Sequence, residues 1–192
     1  MRCEIIDGFL TTEECKSIID MARPRLIPSY TWSVADGMST HSDYRISEQM
    51  FFSIGENYII KNIEQRIAEL SGLPIENGEG TQIVHYLEGG YYKEHWDYFD
   101  PAYDGNKPAL DRGGQRIITV IMYLNNMQSG EGGETFFPRI NMSIEPKEGV
   151  AIIWHNLDKH GQIDQSTFHE AMPVLKGEKW IATKWLREGR FI

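Results

Sequence analysis

From residue 79 onward the chain breaks into short β-rich runs separated by Gly, Pro and Asn turns, and this texture constrains the fold more than any other feature. The runs are Thr81–Leu87, Tyr91–Tyr98, Gln115–Leu124, Glu134–Phe137, Met142–Glu145, Val150–Trp154, Thr167–Val174 and Trp180–Leu186. Their β-branched and aromatic content suits strands. Eight strands punctuated this way predict a double-sheet jelly roll, that is, a double-stranded β-helix. Residues 100–114 carry turn residues without periodicity, so a loop is expected there.

Ahead of residue 79 the pattern is helical. Ile5–Leu10 reads as a short strand and turn. Thr11 and Glu14 have the spacing of a capping box, and Cys15, Ile18, Ile19 and Ala22 recur behind it at helical intervals until Pro24 and Pro28. A second helix is expected over Glu56–Leu70, with Ile59, Ile60, Ile63, Ile67 and Leu70 on one side and Ser71-Gly72-Leu73-Pro74 ending it. Asp36–Asp43 is polar and loop-like. The expected fold is mainly β, with these N-terminal helices packed on one sheet of a jelly-roll core. The 192 residues fit one domain over 1–192, with a helical support region and substrate loop in 1–78 and the core in 79–192.

Composition narrows the partners. A net charge of −9 argues against binding a phosphate backbone, so no nucleic-acid partner is expected. No apolar run approaches the roughly 20 residues of a membrane span. The start, MRCEIIDGFL, is too polar for a signal peptide. No membrane partner and a cytoplasmic location are therefore expected. The two cysteines, Cys3 and Cys15, read as structural thiols in a reducing compartment. Oligomeric state, monomer or homodimer, is left open.

The chemistry gathers in the β region. On a strand His95 and Asp97 project to one side, with Trp96 on the other. His169 lies in a later run, and Lys179 follows it. Two histidines and a carboxylate form the facial triad that holds non-haem Fe(II) and leaves coordination positions open. A lone His-x-Asp is a common accident, and a second one, His41-Ser42-Asp43, falls in a polar turn where neither side chain would be held. His85, His155 and His160 read as structural or solvated. A dicarboxylate buried in a barrel needs a paired charge. Lys179 supplies one if a hairpin turning at Gly177-Glu178 carries it back beside His169, and Tyr86 and Thr135 offer hydroxyls. These side chains predict an oxygenase using Fe(II), 2-oxoglutarate and O2. A zinc hydrolase would use similar ligands but gives Lys179 no role.

At this point the chain resembles the prolyl 4-hydroxylases among the Fe(II)/2-oxoglutarate dioxygenases. The resemblance runs through Arg45-Ile46-Ser47, Phe51, Tyr86, Tyr92 to Phe99, Gly113-Gly114-Gln115-Arg116, Met122-Tyr123-Leu124, Gly132-Gly133-Glu134-Thr135 and Pro138. It is densest over Trp154-His155-Asn156-Leu157-Asp158, His169, Pro173 to Trp180 and Ala182-Thr183-Lys184-Trp185. It implies that His95, Asp97 and His169 hold iron. Lys179 would meet the distal carboxylate of 2-oxoglutarate, with Tyr86 and Thr135 as hydrogen-bond donors. It places Tyr92, Arg116 and Trp185 along a peptide groove, and Arg45 and Ser47 beside a flexible segment that folds over the peptide and here includes residues 36–43. It also implies ascorbate as a reductant. Three residues depart from the family pattern: Arg187 stands where a His is frequent, Ala171 where a Gly is, and Trp96 where a Tyr or Phe is. The resemblance is to a free-standing catalytic domain of microbial or viral type.

The implied reaction is hydroxylation of peptidyl proline at C4, with release of succinate and CO2. Aromatic faces such as Tyr92 and Trp185 suit a proline ring in an extended peptide. Two other readings stay open at this stage. One keeps the oxygenase chemistry but acts on a free amino acid or other small molecule. The other is a jelly-roll binding module without catalysis.

Overall fold

The inward–outward alternation of the long strands sorts their side chains into two cores. The structure, a computed structural model, describes residues 1–33 and 35–191. In chain order the N-terminal elements are β1 (Cys3–Ile6), α1 (Thr12–Ala22), β2 (Ile27–Pro28), β3 (Thr31–Trp32), β4 (Ser39–Thr40), β5 (Arg45–Ile46), β6 (Glu48–Phe52) and α2 (Tyr58–Ser71). There follow β7 (Thr81–Leu87), β8 (Tyr91–His95), the one-turn helix α3 (Lys107–Leu110), β9 (Arg116–Tyr123), β10 (Thr135–Phe137), β11 (Met142–Ile144), β12 (Ala151–His155), β13 (His169–Ala171) and β14 (Glu178–Arg187).

Every run expected to be a strand contains one, most with trimmed ends, whereas β14 extends beyond its run at both ends, over Glu178–Arg187, and β12 is shifted by one residue. β8 stops at His95, short of Tyr98, and β13 keeps only His169–Ala171. The helices begin where caps dictate. Thr11 and Glu14 form the capping box of α1. The Asn57 side chain accepts from the Ile60 N–H, so α2 starts at Tyr58 and not at Glu56. It ends on Gly72 in the left-handed region, φ 71°. The polar stretch 36–43, expected to be irregular, contains β4, which pairs with β3, and the loop at 100–114 carries α3.

Seven strands form one antiparallel sheet in the order β1-β12-β9-β14-β7-β6-β2, and five form a second, β11-β10-β13-β8-β5. Segment 1–78 thus contributes strands to both sheets. On β9, Ile118, Val120 and Met122 face outward and pack with Cys15 and Ile18 of α1 and Ile60, Ile63 and Ile67 of α2. Ile121 and Tyr123 face inward and meet Val84, Ile152, Trp154 and Ile181 of the large sheet and Phe137 and Ala171 of the small one. The large sheet is therefore buried on both faces. Fully burying each such apolar side chain contributes about 1.5–3 kcal/mol. Lys184 is an exception on the outward face, where its Nζ donates to Glu64 Oε1 of α2 at 2.6 Å.

The hairpin expected to join His169 to Lys179 does not form. β13 belongs to the small sheet, whereas β14 lies in the large sheet between β9 and β7, with Lys179 opposite Tyr86. Pro173 to Gly177 crosses from one sheet to the other. The crossing is held tightly: the Gly133 N–H donates to the Pro173 carbonyl at 3.0 Å. Gly132 has φ +75°, and a Cβ there would stand 2.2 Å from that same oxygen, which requires glycine. His169 and Lys179 therefore face one another from opposite walls of the barrel.

Candidate active site

The candidate metal ligands are brought together by a β-bulge. In the pairing of β13 with β8, His169 lies opposite His95 and Ala171 opposite Tyr92, so β8 carries one extra residue in this interval. The bulge turns both Tyr92 and His95 to one side, where their rings stack at 3.7 Å. Asp97 follows just beyond the strand. Its Oδ1 lies 3.7 Å from His95 Nε2 and its Oδ2 3.8 Å from His169 Nε2. One donor atom from each of the three residues lies within 4.8 Å of the others.

Both imidazoles are held in one tautomer. His95 Nδ1 meets the Lys93 carbonyl and His169 Nδ1 the Thr167 carbonyl, each at 2.8 Å. A carbonyl only accepts, so each Nδ1 carries the proton and each Nε2 presents a lone pair. Burial, reinforced by His169, pushes the His95 pKa down to about 3. The ring is neutral at neutral pH and can ligate without releasing a proton. Burial alone would raise the Asp97 pKa. His169, His95, Arg116 and the Thr119 hydroxyl outweigh it, holding the pKa below the ordinary value and the group as a carboxylate. Two imidazoles and a carboxylate converging on one point fit a ferrous ion.

Deeper in the same cavity lies Lys179, fully buried, its Nζ without a hydrogen-bond partner among the described residues. Desolvation, partly offset by Glu134, pushes its pKa down to about 7. Its Nζ stands 5.3 Å from the centre of the Tyr86 ring. Nearby, Thr135 Oγ1 accepts from Tyr123 Oη at 2.7 Å, which leaves the Thr135 hydroxyl proton for a further acceptor. An orphaned amine among buried hydroxyls fits the distal carboxylate of an oxoacid. Tyr123 was not anticipated as part of this cluster, although it shares the inward side of β9 with Ile121.

The remaining wall of the cavity, whose volume is about 870 Å³, includes Arg45, Tyr92, Arg116 and Trp185. The Arg116 guanidinium lies 3.8 Å from the Trp185 ring centre, and that of Arg45 lies 4.8 Å from the Tyr92 ring centre. Ser47 is a correction. It lies behind Arg45, accepting from Arg45 Nε at 2.9 Å, and is not part of the cavity wall. Strands β3 and β4 contribute Thr31, Trp32 and Ser39 to the cavity wall, with Trp32 Nε1 donating to Asn106 Oδ1 at 2.9 Å. His41 follows β4, exposed, its ring tilted at 33° to that of Tyr30 with centres 4.1 Å apart, and is not part of the cavity wall.

Residues 81–187, which hold the three candidate ligands and Lys179, match the 2OG-Fe(II) oxygenase superfamily. Probable prolyl 4-hydroxylase 10 of Arabidopsis thaliana is 37% identical over 205 residues, an alignment spanning 97% of this chain and 68% of that protein. This chain belongs to the prolyl 4-hydroxylase family of 2OG-Fe(II) oxygenases. Prolyl 4-hydroxylase 1 of the same plant is 39% identical over 202 residues, spanning 97% of this chain and 69% of the relative. Among solved structures, the viral collagen prolyl hydroxylase of Paramecium bursaria Chlorella virus-1, in complex with 2OG, superposes with a TM-score of 0.76. It is 33% identical, and the match spans 97% of this chain and 96% of that one.

Within this member of the prolyl 4-hydroxylase family, the departure at Arg187 has a structural account. Arg187 is buried and lies outside the cavity wall. Its Nε donates to Glu79 Oε1 at 2.7 Å, and its Nη1 donates to the carbonyls of Ala109 and Gly114. The same Glu79 takes Arg116 in a two-pronged pair, Nε to Oε1 at 2.6 Å and Nη2 to Oε2 at 2.8 Å. Burial alone would raise the Glu79 pKa; Arg116 and Arg187 outweigh it and hold the pKa low. The stability this confers is present above the ordinary carboxylate pKa and fades as pH falls through the lower folded value. Glu79→Gln leaves two guanidiniums around a neutral amide, and a loss of roughly 3–5 kcal/mol is expected, read as a lower denaturation midpoint. A midpoint equal to the parent's would contradict this account. Glu79 carried no signal in the sequence, since it lies just before β7 in a Gly-rich turn.

Proposed function

We propose that this chain hydroxylates peptidyl proline at C4 in a reaction dependent on Fe(II), 2-oxoglutarate and O2. The observation that carries the reading is one cavity with a three-donor cluster at one level and an orphaned buried lysine at another. His95, Asp97 and His169 would hold iron. Lys179, Tyr86 and Thr135 would bind the far carboxylate of the oxoacid. Iron and 2-oxoglutarate, once bound, supply oxidative decarboxylation to succinate and CO2 coupled to oxygen insertion into a C–H bond. The chain's own contribution is orientation and exclusion of water. Arg45, Tyr92, Arg116 and Trp185 offer guanidinium donors and flat aromatic faces for an extended proline-containing peptide, and the β3–β4 hairpin covers it. Ascorbate would keep the iron ferrous between turnovers. No helix among the described residues is long and apolar enough to cross a membrane.

Support for a peptide comes from the cavity, whose volume of about 870 Å³ exceeds the needs of one small dicarboxylate. The test is mass spectrometry of proline-containing peptides incubated with the chain, Fe(II), 2-oxoglutarate and air. One added oxygen on a proline ring, located by fragmentation at C4, is expected. Oxygen added to free proline but not to any peptide would favour the small-molecule reading. Arg116→Ala is expected to impair peptide hydroxylation more than peptide-independent decarboxylation of 2-oxoglutarate. Equal losses in both assays would argue against a groove role for Arg116.

A further inference from the structure

A line of hydrogen bonds of fixed direction runs from the core into Asp97. The indole Nε1–H of Trp154 can only donate, and it meets Asn156 Oδ1 at 2.9 Å. That contact sets the orientation of the Asn156 amide. Its Nδ2 is thereby turned to donate to Thr119 Oγ1 at 3.0 Å and to the Arg116 carbonyl at 3.3 Å. Thr119, accepting from Asn156, spends its single proton on Asp97 Oδ2 at 2.8 Å. Trp154, Asn156 and Thr119 are each 0% exposed, so water does not compete for these bonds. The same indole packs edge-on against His169, with ring centres 5.0 Å apart and planes at 70°.

We infer that Thr119 and Asn156 are positioning residues that hold the Asp97 carboxylate between His95 and His169, with the Trp154 indole setting the direction of the whole line. The inference rests on the proposed role of Asp97 as a metal ligand. Without the Thr119 hydroxyl the carboxylate loses a buried donor and the torsional restraint that comes with it. Partners of this kind commonly contribute 10–100-fold to metal affinity. Asn156 is the more informative position. Asn156→Asp keeps the side chain's shape but replaces a donor with an acceptor. The Thr119 proton would then turn toward residue 156 and away from Asp97.

The test uses Mn(II) alone, titrated into the metal-free chain and followed by electron paramagnetic resonance. Thermal melts of the metal-free chains report folding separately. Thr119→Val and Asn156→Asp are each expected to weaken Mn(II) binding about 10–100-fold. Thr119→Ser, which restores the hydroxyl, should return affinity to within a few-fold of the parent. Parent-like Mn(II) affinity in Thr119→Val would overturn the inference, as would Thr119→Ser binding as weakly as Thr119→Val. Should Thr119→Val fail to fold, Asn156→Asp decides in its place, and parent-like affinity there overturns the inference equally. A His95→Ala control separates the two levels of the argument. If His95→Ala leaves Mn(II) affinity unchanged, the ligand assignment itself fails and the inference falls with it.

Discussion

Asp97→Ala is expected to leave no bound iron after desalting and no measurable turnover of 2-oxoglutarate. The carboxylate is 6% exposed and sits between two imidazoles, 3.7 and 3.8 Å away. It is the one negative charge in the ligand cluster. Two imidazoles are left by the substitution, and a ferrous ion would meet an apolar methyl where it needs a charged oxygen. His95→Ala and His169→Ala should give the same result through loss of one donor each. Metal analysis of the purified variant, with turnover measured in added Fe(II), checks this directly. An active Asp97→Ala chain would refute the ligand assignment.

Lys179→Met is expected to move two properties in opposite directions. Truncating one partner of a buried charge pair costs roughly 2 kcal/mol or more, so the 2-oxoglutarate requirement should rise about thirtyfold or more. The cosubstrate-free chain should become more stable, because a buried amine without a partner costs about 1–3 kcal/mol. The sign with pH follows from the lysine pKa of about 7, well below its ordinary 10.5. Below both values the penalty on the ammonium is complete. It is relieved as pH rises from about 7 toward the ordinary value, so the parent gains stability over that window and Lys179→Met does not. Titration calorimetry at pH 8 in buffers of different ionisation enthalpy should show a proton taken up as 2-oxoglutarate binds. An unchanged cosubstrate requirement in Lys179→Met would reject the role.

Much of this was legible because the relevant patterns are local. The strand runs and the Thr11 cap depend on residues a few positions apart, and the structure reproduces them, whereas His95 and Asp97 converge even though β8 stops at His95 and Trp96 also lines the cavity. What failed depends on how distant segments pair. Nothing near Lys179 says that β14 enters the large sheet, because its register is set by β7 and β9. Its surroundings, Gly177-Glu178, read as a turn, yet Lys179 is 0% exposed. The bulge in β8 was equally invisible, since strict alternation would have turned Tyr92 away from His95. Thr119 and Tyr123 were passed over because they lie among apolar neighbours, where a hydroxyl looks like core filling, and Asn156 because it opens a polar loop. The inward parity they share with Ile121 and Trp154 was the signal available.

The crossing of residues 173–177 between the two sheets gives the barrel the character of a caliper. One jaw carries His169 and the other Lys179. The gap between the jaws is kept by the apolar filling of Phe137, Val174 and Ile181, which bears on both sheets without being part of the reaction. On the proposed roles of His169 and Lys179, that filling would set the length of diacid the chain accepts.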